Sequence, residues 1–165
     1  SDPVIVGFVA SAPKIVLIRA VGPTLATFGV PGVNTDPKLD VFEGDKLLAT
    51  NDDWGVLGSS EFTLADKIFI TSGVGAFPLA AGSFDATVLV TIKGATTVTV
   101  KGSRGELGAV LVEVYDIPDS LLSGLSIAKA SNSPEYRLAR EQEVKSLWSA
   151  AALQKLTANN SPLRK

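Results

Sequence analysis

"FDATVLVTIKGATTVTVKG", residues 84–102, is the stretch on which the fold turns. Phe84, Ala86, Val88, Val90 and Ile92 alternate with Asp85, Thr87 and Thr91, and Leu89 is the exception. A period of two is that of a strand with one buried face. Val98 and Val100 repeat the pattern further on. Between the two halves, Lys93-Gly94-Ala95 reads as a hairpin connection. The stretch therefore predicts two antiparallel strands joined by a tight turn.

The same reading extends outward. "GAVLVEVYD" (108–116) follows the Gly-rich turn "GSRGELG" and places Val110, Val112 and Val114 on one face. "LDVFEGDKLLATN" (39–51) is a hairpin turning at Glu43-Gly44-Asp45-Lys46. "VIVGFVA" (4–10) and "KIVLIRAVG" (14–22) are apolar on both faces, as central strands often are. In "SSEFTLADKIFIT" (59–71), Phe62, Ala65, Ile68 and Phe69 fit helical spacing, with Ser59 or Ser60 as cap and Gly73 as stop. "KIFIT" alone also passes for a strand; a short helix is the expectation. Short strands at this spacing predict a mainly β fold, an antiparallel jelly-roll-like β-sandwich with a short internal helix and a C-terminal α-helix. The expected division is a β-sandwich domain over 1–118, a linker or additional strand over 119–132, and a helical tail over 133–165.

Composition narrows the chemistry. The 165 residues include no His and no Cys. Ser-His-Asp and Cys-His catalysis are thereby excluded, and zinc, which favours thiolate and imidazole ligands, is disfavoured. No disulfide framework is available. The net charge of −2 carries no nucleic-acid footprint. No 18-residue apolar run predicts a membrane span.

The C-terminal region changes character. In "SNSPEYRLAREQEVKSLWSAAALQKL" (131–156), Ser133 is a candidate N-cap, Pro134 suits the first helical position and Glu135 the positive helix end. Val144, Leu147, Trp148 and Ala151 form one apolar stripe, widened by Leu153 and Leu156. Residues 133–165 hold six Lys and Arg against three Asp and Glu, a charge of +3, whereas the rest holds nine against fourteen, −5. A basic tail on an acidic body favours docking, either on its own body or on a neighbour's.

The stretches "KIVLIRAVGPTLATFGVPG", "DPKLDVFEGDKLLATNDDWG", "VGAFPLAAGSFDATVLVTI" and "GELGAVLVEVYD" occur in this order. Together, over residues 4–116, they resemble a β-sandwich repeat of large secreted and cell-surface bacterial proteins, similar to bacterial pre-peptidase C-terminal domains. "IRAVGP" and "LVEVYD" carry most of the likeness. The resemblance implies a non-enzymatic module of a secreted or surface protein, and it brings no catalytic residues. In such repeats a further strand precedes the one corresponding to "VIVGFVA". Here its candidate, "LLSGLSIAKAS" (121–131), follows the last strand instead. That strand either completes its own domain or is given to a second copy, as in strand addition to an open edge.

The expected function is thus a structural module that assembles with itself. Its interface would use Leu121, Leu122, Leu125 and Ile127 on the strand, and Val144, Leu147, Trp148 and Ala151 on the helix. The alternative is a calcium- or carbohydrate-binding accessory module. Asn51, Asp52 and Asp53 in "TNDDWG" are its candidate calcium ligands, with Asp40 or Asp85 across the sheet; Asx residues in turns more often cap backbone N–H groups. No other cofactor is expected. Trp54 with Phe28 or Phe77 is a candidate sugar platform, although such aromatics more often close a core. Arg19, on the face of Ile15 and Leu17, needs a carboxylate from Asp40, Asp53 or Glu113. "GVGAFPLAAG" lacks the Lys-Ser/Thr of a phosphate loop, and the acids have no cleft signature for hydrolysis.

Overall fold

The structure, a computed structural model, describes residues 2–56, 62–123 and 125. Five strands, β1 (Val4–Val21), β2 (Pro37–Glu43), β3 (Lys46–Asn51), β4 (Ala86–Gly102) and β5 (Leu111–Asp116), form one antiparallel sheet in the order β3-β2-β4-β1-β5. Among the described residues, two helices, α1 (Pro23–Thr27) and α2 (Leu64–Gly73), lie between the strands and a third, α3 (Asp119–Leu122), follows β5.

The expected hairpin at Lys93–Ala95 is not a hairpin. Residues 86–102 are one strand, and "VIVGFVA" and "KIVLIRAVG" likewise merge into β1. β1 pairs with β4 from Val4↔Val100 to Ala20↔Ala86, with a register shift between Ala10 and Lys14 opposite Gly94. Gly94 has φ +76°, which an L side chain adopts at a cost, and it serves a bulge here rather than a turn. Eighteen residues of straight strand would span roughly 60 Å, longer than a compact domain of this size is wide. The paired irregularities are where both strands can bend.

The larger core draws on four of the five strands. It unites Val16, Ile18 and Ala20 of β1 with Leu39 and Val41 of β2, Ala49 of β3, and both halves of β4, from Ala86 and Val88 to Val98 and Val100. All these residues come from strands, and among the described residues no helix supplies a side chain to the cluster. A second sheet, which a sandwich or jelly roll requires, is not formed among the described residues.

The opposite face of β1 carries Ile15, Leu17 and Arg19. Phe62, Ile70 of α2, Leu89, Ile117 and Leu125 cover the first two. This explains why "KIVLIRAV" is apolar on both faces. The internal helix begins later than expected, because Thr63 rather than Ser59 or Ser60 caps it. The Thr63 hydroxyl accepts from the Asp66 N–H (3.2 Å), and the Asp66 carboxylate accepts from the Thr63 N–H (2.8 Å). Its buried face is Asp66, Lys67 and Ile70, whereas Ile68 and Phe69 are exposed.

The expected strand over 121–131 opens instead as helix α3, with Leu121, Leu122 and Leu125 packed on this second core. Pro118, which has no N–H, stands where β5 would have continued. Gly73, the last residue of α2, is closed over by Leu121; a Cβ there would lie 2.7 Å from a Leu121 methyl. Ile127, Val144, Leu147, Trp148 and Ala151 lie outside the described residues.

Candidate functional site

The first candidate is an edge. β5 pairs with β1 only over Val16–Val21, and β4 takes the other side of β1. Val4–Ala10 therefore has one edge without a ladder partner among the described residues. Val6 and Phe8 turn inward against the larger core, while Ile5 (63% exposed) and Val9 (77% exposed) face outward. Beside this edge runs a groove of about 380 Å³, bounded by Val6, Phe8 and Ala10 of β1, Ile92 of β4, and Val114 and Asp116 of β5. It occupies the track that β5 would follow if it ran on antiparallel to β1. Its end is marked by Lys14, whose ammonium donates to the Asp116 carboxylate at 2.6 Å. Both groups are solvated, so this ion pair adds little stability. Edges are usually blunted by charge or proline; between Pro3 and Pro13 this one carries neither.

In the acidic turn, Asn51 and Asp52 have hydrogen-bond partners within the protein. The Asn51 side chain is buried, and its carbonyl accepts from the Thr87 N–H (2.8 Å). Its amide donates to the carbonyls of Asp53 (2.9 Å) and Val56 (3.0 Å). It ties the end of β3 to the start of β4, the backbone-capping use of an Asx residue. Asp52 accepts from the Ser103 hydroxyl at 2.8 Å, and Asp40 accepts from the Thr50 hydroxyl at 2.5 Å. No group of three carboxylates able to hold a metal ion occurs among the described residues. Nearby, burial first and then the charges of Asp52, Glu106 and Asp53 hold the Asp36 carboxyl above its ordinary value.

Asp85 has a different task. Fully buried, it accepts from the N–H groups of Gly22 (2.8 Å) and Thr24 (3.2 Å) and from the hydroxyls of Thr24 and Ser83. It thereby fastens the β1–α1 corner to the start of β4. Gly22 is needed at that corner, because a Cβ there would sit 2.1 Å from the Asn34 carbonyl oxygen. Asp85→Asn is expected to lower the unfolding free energy by about 1–3 kcal/mol, through loss of charged hydrogen bonds in a dry site. Urea unfolding followed by circular dichroism measures it; an unchanged midpoint would remove Asp85 from the corner's support.

Of the three acids open to Arg19, the structure selects Glu113, its cross-strand partner on β5. The guanidinium is 0% exposed, with Nε 3.3 Å from the Glu113 carboxylate and its carbon 4.5 Å from the centre of the Phe77 ring. Its N–H groups are not aligned for hydrogen bonds. Burial lowers its pKa, while Glu113, Tyr115 and Asp85 act in the other direction. Phe77 meets Phe28 edge to face at 5.1 Å. The Phe77 ring is thus engaged by Arg19 and Phe28. The Trp54 indole N–H instead donates to the Ala80 carbonyl (2.9 Å).

The sequence reading passed over a second pocket, a cavity of about 320 Å³ between α2, the 76–79 segment and the start of β4. Trp54, Lys67 and Thr87 line it. Lys67 is 1% exposed, and burial pulls its pKa down to about 8. The available signal was a lysine in the helical register of Ile70, three residues before it.

Comparison with family models, with curated proteins and with solved structures yields no match for this chain. Among the described residues, no helix is long and apolar enough to cross a membrane.

Proposed function

We propose that the protein is a non-catalytic structural module, of the β-sandwich kind found in secreted and cell-surface bacterial proteins, that associates with copies of itself by strand addition. The observation that carries this reading is the Val4–Ala10 edge, which has no ladder partner among the described residues and runs beside an apolar groove. An added strand gains backbone hydrogen bonds along the edge and side-chain pockets at alternate positions. The occupant is the C-terminal region of a second copy, beginning beyond Leu125. Its sequence offers Ile127 and then the Val144–Leu147–Trp148–Ala151 stripe, and its basic charge complements the acidic body. Leu121, Leu122 and Leu125 pack in the second core and so anchor the root of this joint rather than form its contact surface. A head-to-tail contact of this kind makes rings or filaments, according to the rotation between copies.

Light scattering and electron microscopy of the full chain and of a chain ending at Leu125 test the reading. That end point keeps the leucines the core uses. Concentration-dependent assembly is expected from the full chain only, and Ile5→Lys with Val9→Lys should abolish it without shifting the melting temperature, since both side chains are exposed. A monodisperse full-length monomer would overturn the proposal.

A further inference from the structure

The cavity beside α2 presents a cation without an anion. Lys67 has two contacts, to the carbonyls of Val56 (3.3 Å) and Trp54 (3.4 Å), both at the long limit for a hydrogen bond. No carboxylate among the described residues lies in ion-pair range of it. Asp66, its neighbour in sequence, is turned to Thr63, and Asp85 is occupied by four donors. A buried ammonium lacking a counter-ion is costly.

A second observation concerns Thr87. It is 2% exposed, its hydroxyl has no hydrogen-bond partner, and it lines the same cavity. Buried hydroxyls are seldom left unpaired. The cavity thus combines an ammonium held only by two long carbonyl contacts and an unpaired hydroxyl with an apolar wall of Trp54, Ala76, Pro78 and Leu79.

We propose that this cavity binds a small monocarboxylate, its carboxylate accepting from Lys67 and Thr87 and its apolar body lying against Trp54, Ala76, Pro78 and Leu79. The volume is at the small end for ligand sites and suits a single ring or a short chain. A neutral ligand would leave the ammonium uncompensated, and a bare inorganic anion would leave the apolar wall unfilled.

The test uses the full chain carrying Trp148→Phe, which leaves Trp54 as the one indole of the two in the sequence. Phenylacetate and its neutral analogue phenylacetamide are titrated while Trp54 emission is read, with sodium chloride as the inorganic control. Saturable binding of phenylacetate with a Kd below ~1 mM is expected, with the amide at least about tenfold weaker. Lys67→Met should remove that preference, and Thr87→Val should weaken binding severalfold, circular dichroism confirming that each variant is folded. Equal affinity for acid and amide, competition by chloride at equal concentration, or no saturable response up to ~10 mM would overturn the proposal.

Discussion

Glu113→Gln is expected to lower the unfolding free energy by about 3–5 kcal/mol, because it removes the one ion-pair partner, among the described residues, of a guanidinium that has left water. Arg19 is fully buried, Glu113 faces it across the β1–β5 ladder, and the ring of Phe77 does the rest of the solvation. A cation over an aromatic face gains at most about 2 kcal/mol when desolvated, less than an unpaired buried charge loses. Glutamine keeps an acceptor for the Tyr115 hydroxyl, which donates to Glu113 at 2.8 Å, so the effect isolates charge rather than packing. In the Arg19→Met background, Glu113→Gln should then do little, and the double variant should recover most of the lost stability. Denaturant unfolding of the four proteins closes the cycle. A loss below about 1 kcal/mol for Glu113→Gln alone would show that the guanidinium does not depend on this carboxylate.

Lys67→Met is expected to act in the opposite direction. Folding moves the lysine from its ordinary value of 10.5 to about 8, so keeping it protonated at pH 7 costs the native state about 3 kcal/mol. Methionine has no proton to hold and fills similar space, so the variant should be more stable by up to that amount at neutral pH. The sign follows from proton counts. Between pH 8 and 10.5 the unfolded chain binds more protons at this site than the folded one, and the wild-type protein gains stability as pH rises. The advantage of the variant is therefore full below pH 8 and gone above 10.5. Unfolding of both proteins at a series of pH values reads the difference directly. A gap that stays constant from pH 7 to 10.5 would mean that Lys67 is solvated in the folded state.

Strand positions were legible in the sequence, and strand connections only in part. The hairpin through Glu43–Lys46 joins β2 to β3 as the turn residues indicate. Gly94 misled because a left-handed glycine between two alternating runs fits a turn and a bulge equally well. The choice is made by a distant register, the shift between Ala10 and Lys14 on β1. The same non-locality limited the reading of Arg19: its face and need for an acid were local facts, whereas Glu113 became the partner through the β1–β5 pairing. Lys67 was missed because the helix was phased on Ile68 and Phe69. The capping box at Thr63 sets a phase in which Ile70 and Lys67 are buried together. Asn51 was noticed for its oxygen, yet its use is to hold β3 to β4 with both ends of its amide.

The long β1–β4 pair also dictates when the molecule can come into being. β1 is made before its ladder partners β4 and β5, so Val4 must wait for Val100. At roughly 5–20 residues per second, a ribosome needs on the order of 4–16 s to travel from the end of β1 to the end of β4. For that interval one of the most apolar segments of the chain has no native neighbour. Non-local pairings of this span also make for slow folding. The nascent protein therefore exposes this segment until residue 102 has been made, and refolding from denaturant should be most efficient when the protein is dilute.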